Sequence, residues 1–227
     1  FGTLYGRKWA HSLQDVQNQV PKDGKVEDYF VINNEGYVVR THQIGTPQEE
    51  PVYITNDKGQ PINAPIGNVN PNFNLNFTST LMVKGFNLYA LLTWQNGGQT
   101  YNHSRRYTTA SAETDQSVKP YEQRKPERYY VKLREWNNEY YVEDADFLAL
   151  RELGVNYDFP NVKFSGLKID NIRIGFVARN VFMLTNYSGY SPETGSNQEG
   201  VDSNILKFDV HTYPVYRTFS GNIALTF

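Results

Sequence analysis

Residues 72–95 read NFNLNFTSTLMVKGFNLYALLTWQ, and their alternation decides the fold. Phe73, Leu75, Phe77, Leu81 and Val83 take odd positions, while Asn72, Asn74, Asn76, Thr78 and Thr80 take even ones. Successive side chains of a strand point to opposite faces, so this is a strand with one apolar and one polar face. Lys84 and Gly85 make a two-residue turn, and Phe86, Leu88, Ala90, Leu92 and Trp94 then share one face of the returning strand. The pair predicts a tight hairpin.

The same pattern recurs downstream. A third strand is legible from Phe147 to Phe159, closed by Pro160, with Leu153, Val155, Tyr157 and Phe159 on one face. After the link NVKFSGLKID (161–170), a fourth strand, NIRIGFVARNVFML (171–184), alternates Ile172, Ile174, Phe176, Ala178, Phe182 and Leu184 against Arg173, Arg179 and other residues. The chain closes on VYRTFSGNIALTF (215–227), whose Phe219, Ile223, Leu225 and Phe227 form an apolar set that runs to the last residue. Before residue 67 the sequence reads as an ordered but irregular excursion rich in Pro, Gly, Asn, Asp and Gln, with one hairpin centred on Asn34 to Gly36.

The connections after the first and third strands are short, whereas those after the second and fourth run to dozens of residues. Short turns at one end and long loops at the other are the asymmetry of an outer-membrane barrel. The predicted fold class is all-β, a transmembrane antiparallel β-barrel with long extracellular loops. If the short turns are periplasmic, the fifth strand descends and leaves Phe227 at the periplasmic rim. Five strands cannot close a membrane barrel, and in lipid every unpaired backbone group costs several kcal/mol. The chain is therefore expected to be the C-terminal piece of a larger barrel, with residues 1–66 as an extracellular region carrying a short hairpin and residues 67–227 as transmembrane strands with long loops.

Composition agrees. Of 227 residues, 15% are aromatic (17 Tyr, 13 Phe and 3 Trp) amid many small polar residues, a mix suited to many strands with long loops. The net charge of −2 offers no basic field for nucleic acid, and the absence of cysteine excludes disulfides and thiolate chemistry. No apolar run is long enough for a membrane helix, which excludes a helical span but not a membrane barrel, whose strands need only about 9 to 11 residues of alternating character. With no initiator Met and no charged-then-apolar leader, the chain is expected to be a processed product or a fragment.

Catalytic chemistry is not legible. Glu143, Asp144, Asp146 and Glu152 sit where a loop meets a strand without a convergent partner, and His11, His42, His103 and His211 lack metal-ligand spacing. No nucleophile elbow, phosphate loop or dinucleotide fingerprint is present. No enzyme, cofactor or metal is expected. The excursion from Lys119 to Arg134, with six basic and two acidic residues around Tyr121, Tyr129 and Tyr130, reads as a mixed-charge surface loop. Trp136, Tyr140 and Tyr141 are better candidates for substrate contact, because large aromatics on exposed loops concentrate at recognition surfaces. Phe86, Tyr157, Phe159 and Phe227 are placed in a periplasmic aromatic girdle, and Asn74, Asn76 and Asn87 face the lumen. Arg151 falls on the apolar parity with Leu153 and Val155, so it should lie near the outer interface or be turned inward by a bulge.

Several ordered stretches together resemble a known family, the SusC/RagA-like TonB-dependent transporters of the Bacteroidota outer membrane. FGTLYGRKW and VINNEGYVV are similar to its Gly-Tyr-Gly-rich stretch followed by a short hairpin. IGNVNPNFNLNFTSTLMVKGFNLYALLTWQNGGQTYN resembles its most recognisable segment, with Gly67, Asn68, Asn70, Pro71, Lys84, Gly85, Phe86, Gly97, Gly98, Tyr101 and Asn102 in place. VEDADFLALRELGVNYDFP resembles a strand ending in Gly-Tyr-x-x-Pro, with Asn156 intervening before Tyr157. RNVFMLTNYSGYSPE carries Val181 for Leu and Ser191 for Asp in a further pattern, and YPVYRTFSGNIALTF resembles the closing strand. The resemblance implies a 22-stranded barrel with an N-terminal plug, nutrient import driven by the TonB complex through the part of the protein that precedes this chain, and a SusD-like surface lipoprotein as lid. It also implies contact with outer-membrane lipid and lipopolysaccharide, and an assembly signal in Phe219, Ile223, Leu225 and Phe227 read by the barrel-assembly machinery. Two rival readings stand beside import: a SusC-like barrel serving as scaffold in an outer-membrane complex, and a secreted all-β glycan-binding module.

Overall fold

The computed structural model describes residues 2–110, 120–164, 167–193 and 208–227. Phe1, part of the second excursion (111–119, which includes Lys119), the centre of the third-to-fourth-strand link (165–166) and part of the third excursion (194–207) lie outside the described residues. The chain divides into two compact units, one formed by residues 1–70, 99–143 and 194–212 and the other by 71–98, 144–193 and 213–227.

In the first unit, β1 (Thr3–Arg7) pairs with β4 (Asn63–Asn68), and β2 (Phe30–Ile32) pairs with β3 (Val38–Arg40). The hairpin expected at Asn34 to Gly36 is the β2–β3 turn: the Asn33 Oδ1 accepts from the Glu35 and Tyr37 N–H groups at 3.0 Å each, and Gly36 takes φ +82°. β7 (Gln99–Asn102) runs beside β8 (Val142–Asp144) and parallel to the short β11 (Phe208–Asp209). Helices α1 (Val26–Tyr29), α2 (His103–Ala110) and α3 (Glu127–Arg134) complete the unit. α3 corrects the expectation of a plain loop there. Pro126 and Glu127 open it, Lys132 and Arg134 close it, and Tyr129 and Leu133, one turn apart, bury completely.

The first unit's core is aromatic. Trp9 stacks on Tyr53 with ring centroids 3.7 Å apart, and this pair packs with Val39, Tyr129 and Leu133. Leu4, Val69, Tyr101 and Tyr141 form a second cluster, and Ala10, Val16, Phe30 and Val38 a third. Beside Tyr129 lies a buried ion pair: Lys125 Nζ donates to Glu49 Oε1 at 2.6 Å. Burial opposes ionisation of Glu49, but Lys125, the Gly45 N–H and the Asn33 amide overcome it and hold its pKa below the usual glutamate value.

The second unit is a single antiparallel sheet of β5 (Pro71–Val83), β6 (Phe86–Gly97), β9 (Phe147–Phe164), β10 (Leu167–Thr185) and β12 (Thr218–Thr226) in the order β12-β10-β9-β6-β5. Each strand neighbours its sequence predecessor in this sheet, and the β5–β6 turn has positive φ at both Lys84 and Gly85, the two-residue geometry that matches strand twist. The register aligns one apolar face, with rows such as Val83–Phe86–Tyr157–Ile174–Ile223 and Leu81–Leu88–Val155–Phe176. The other face is polar. There the Arg173 guanidinium donates to both Asp158 oxygens at 2.7 and 3.1 Å, Arg179 donates to Glu152 at 3.0 Å, and Thr93 donates to Asn76 Oδ1 at 2.9 Å.

Two details depart from simple alternation. Pro160 does not close the third strand, which runs on to Phe164. The Asp158 N–H points toward Gly85, on the β6 side, so by the period of two the missing N–H of Pro160 lies on that same side, beyond the end of β6. Proline there costs the sheet no hydrogen bond. Arg151 is the extra residue of a bulge: Leu91 faces Glu152 and Leu92 faces Leu150, and the register with β10 shifts at the same level. The bulge takes Arg151 out of the apolar parity, and its guanidinium pairs with Glu193.

Candidate functional site

On β1, Thr3, Tyr5 and Arg7 share the exposed parity, while Leu4 and Gly6 face inward. The segment after α3 lies directly on this strand. The Arg7 N–H donates to Asn137 O at 2.8 Å, and a Cβ on Gly6 would stand 2.6 Å from that oxygen, so only glycine admits the approach.

This contact presents Trp136, whose backbone sits at φ +58° and whose side chain is 60% exposed. A bulky residue in the left-handed region is an outlier that costs on the order of 1–3 kcal/mol and persists only where its surroundings impose it. The imposing residue is Asn138, fully buried. Its Nδ2 donates to the carbonyls of Leu133, Glu135 and Trp136 at 2.7, 3.0 and 3.3 Å, and its Oδ1 accepts from the Trp9 indole and the Tyr140 N–H at 3.1 and 3.0 Å. The Arg7 guanidinium lies 4.1 Å from the Trp136 ring centroid and 5.7 Å from that of Tyr53, a cation held against aromatic faces.

The three sequence candidates therefore occupy different positions. Trp136 is displayed. Tyr140 is half-buried, with the Arg105 guanidinium 4.8 Å from its ring and that guanidinium paired with Glu143 at 3.0 Å. Tyr141 is enclosed at 0% exposure beside Tyr101, where burial pushes both phenols up to about 12. Arg7, Tyr5, Tyr53 and Asn138 escaped the sequence reading; the first two complete the surface, and the buried Tyr53 and Asn138 support it. The first three lie in the stretch read as irregular, and nothing in the spacing links them to Trp136.

The acidic candidates have structural roles: Glu143 holds Arg105 and the Asn102 amide, Glu152 holds Arg179, and the Asp146 carboxylate accepts from the Gly97 N–H. His11 contacts Gly36 O and Glu139 Oε1 at 3.0 and 3.1 Å, and His103 and His211 stand with ring centroids 6.3 Å apart. Among the described residues no group of three or more His, Asp or Glu is placed to hold a metal ion. On the closing strand, Phe219, Ile223, Leu225 and Phe227 stand on the outward apolar parity, each more than half exposed. Phe86, Tyr157 and Phe159 gather at one end of the sheet, with successive ring centroids 4.5 Å apart.

No family profile matches the chain. Over 63 residues it is 36% identical to the TonB-dependent receptor P39 of Formosa agariphila, a match that covers 27% of this chain and 6% of that protein. Solved structures of the RagAB peptide importer superpose on nearly the whole of it. The closed-closed state gives a TM-score of 0.62 at 19% identity over 99% of this chain, and the open-open state 0.58 at 19% over 99%. In fold the chain is similar to part of the RagAB structures. It spans 22–23% of the length of those structures, so the likeness concerns one segment of a larger molecule. The mostly β architecture and the order of strands agree with the resemblance drawn from the sequence motifs.

Proposed function

We propose that the chain is the C-terminal segment of a TonB-dependent outer-membrane importer that takes up glycan or peptide together with a SusD-like lipoprotein. The five-stranded sheet is a piece of the barrel wall, and the first unit is part of the extracellular cap. The observation that carries this reading is the sheet itself: one continuous apolar face left exposed, a polar face laced by ion pairs, short turns at one end and long connections at the other. Soluble proteins rarely expose so large an apolar surface. Along β9 the apolar parity runs from Leu148 to Phe159; with the bulged Arg151 discounted, about ten steps of about 3.3 Å at a tilt of about 40° give an apolar height of about 25 Å, that of an outer-membrane barrel.

β5 and β12 each pair on one side only among the described residues, so in lipid their free edges must meet further strands. These are supplied by the rest of a 22-stranded barrel, whose plug and TonB contact precede this chain. On this reading Phe227 belongs at the periplasmic rim, and the first unit belongs to the extracellular side, where it would line the substrate chamber and seat the lid. Phe219, Ile223, Leu225 and Phe227 then act as the aromatic-ended strand that the barrel-assembly machinery engages. The relatives' names, a TonB-dependent receptor and a peptide importer, support transport.

Cells producing the full-length protein should accumulate a labelled substrate oligomer only while the inner membrane is energised. Accumulation that continues after the proton-motive force is collapsed would contradict import.

A further inference from the structure

The Arg7 guanidinium is half-buried, lies against the Trp136 ring and near that of Tyr53, and has no carboxylate or hydrogen-bond acceptor among the described residues. A cation withdrawn from water in this way is normally paired. Its fork of N–H donors is matched to a planar or tetrahedral oxyanion. Two positions along the same face of β1 stands Tyr5, 59% exposed, and against the guanidinium stands Trp136, 60% exposed and fixed by Asn138. We propose that Tyr5, Arg7 and Trp136 form a binding platform for an acidic polysaccharide, with Arg7 receiving a carboxylate or sulfate and the two aromatic rings receiving the flat faces of adjoining sugar units.

The arrangement favours a saccharide over a peptide. Extended peptides bind by adding a strand to a free sheet edge, with pockets for alternate side chains. At Arg7 neither edge is free: β4 occupies one side, and Asn137 and Asn138 the other. What remains open is a face that carries the cation and the exposed rings of Tyr5 and Trp136. The rigid rings lose little conformational entropy on contact, and the guanidinium is already oriented by stacking, so the ligand bears most of the ordering cost.

This inference rests on the first unit facing the substrate from outside the cell, and its test is independent of transport. The full-length protein in detergent is titrated calorimetrically with oligogalacturonate, with the same oligomer fully methyl-esterified, and with oligoglutamate of equal charge. Oligogalacturonate is expected to bind at least tenfold more tightly than the ester. Arg7→Gln should remove that preference, Trp136→Ala should weaken binding by about tenfold, and Arg7→Lys should restore only part of it. Melting temperatures of the variants within a few degrees of the parent confirm that the unit still folds. Equal affinity for acid and ester, absence of binding by any probe, or an Arg7-dependent preference for oligoglutamate overturns the proposal. Failure of energised uptake with Arg7-dependent binding intact would sink the importer reading and leave the platform standing.

Discussion

Asn138→Ala tests how the displayed tryptophan is held. Asn138 is fully buried and makes five hydrogen bonds, two of them with both partners enclosed, to the Trp9 indole N–H and to the Leu133 carbonyl. The other three, to Glu135 O, Trp136 O and the Tyr140 N–H, lie nearer the surface, where water can replace the amide. Leaving an enclosed donor or acceptor unpaired costs about 1–3 kcal/mol, so the two enclosed groups together cost about 2–6 kcal/mol. A loss near 3 kcal/mol, taken up by local opening of residues 134–140, lowers protection of the Tyr140 amide against hydrogen exchange by roughly a hundredfold. Asn138→Asp makes the control: it keeps the acceptor for Trp9 and Tyr140 but turns an anion toward three carbonyls, and should protect no better than alanine. Native-state hydrogen exchange of the full-length protein in detergent, followed by mass spectrometry of peptides spanning 133–141, reads the effect. Exchange and melting changed by less than about 0.5 kcal/mol in both variants would refute the idea that Asn138 imposes the Trp136 conformation.

The Glu49–Lys125 pair gives a pH dependence. Because the folded pKa of Glu49 is depressed, its contribution is complete above the ordinary glutamate value and is lost as the pH falls through the lower folded value; Glu49→Gln should remove this acid-side slope in melting temperature and destabilise the protein at pH 7, since Lys125 is left buried without its partner. Arg151 tests the bulge: Arg151→Ala and deletion of the residue should both insert nearly as well as the parent, because the deletion leaves Leu150 facing Leu92 and Glu152 facing Leu91 with the apolar face unbroken, and loss of heat-modifiable barrel on gels in the deletion alone would refute Arg151 as the extra residue. Deleting Phe227 from the full-length protein should lower its surface level more than it alters the substrate affinity of the molecules that insert, and equal surface levels would refute a role in assembly.

The five-stranded antiparallel sheet was legible because a period of two is written directly in the side chains, and because loop length needs no contacts to be read. Short turns, long connections and outward rows from Phe73 to Phe227 followed from that alone. Pro160 misled because its effect depends on which neighbour its nitrogen faces, and that is a property of register. α3 was overlooked although Pro126, Glu127 and Lys132 were in the sequence, since eight residues of mixed charge give too short a period against a polar background. The surface around Trp136 was half legible. An exposed aromatic on a loop pointed to it, but Tyr5, Arg7 and Tyr53 reach it only through tertiary packing, and Tyr141 beside it is core. Arg151 was the useful exception. An uncomfortable charge on an apolar parity called for either a place near the outer interface or a bulge, and the register shift of a bulge is there.

The most direct measurement takes advantage of the absence of cysteine in this chain. Single cysteines are introduced into the full-length protein at Phe77, Leu153 and Phe176 on the apolar parity, and at Asn76, Glu152 and Val177 on the polar one. Each is coupled to a fluorophore, and the protein is reconstituted in vesicles containing brominated acyl chains. Quenching at the first three positions and little at the second three is the predicted result. Equal quenching at all six, or protein that stays out of the lipid, would contradict the sheet as a membrane wall.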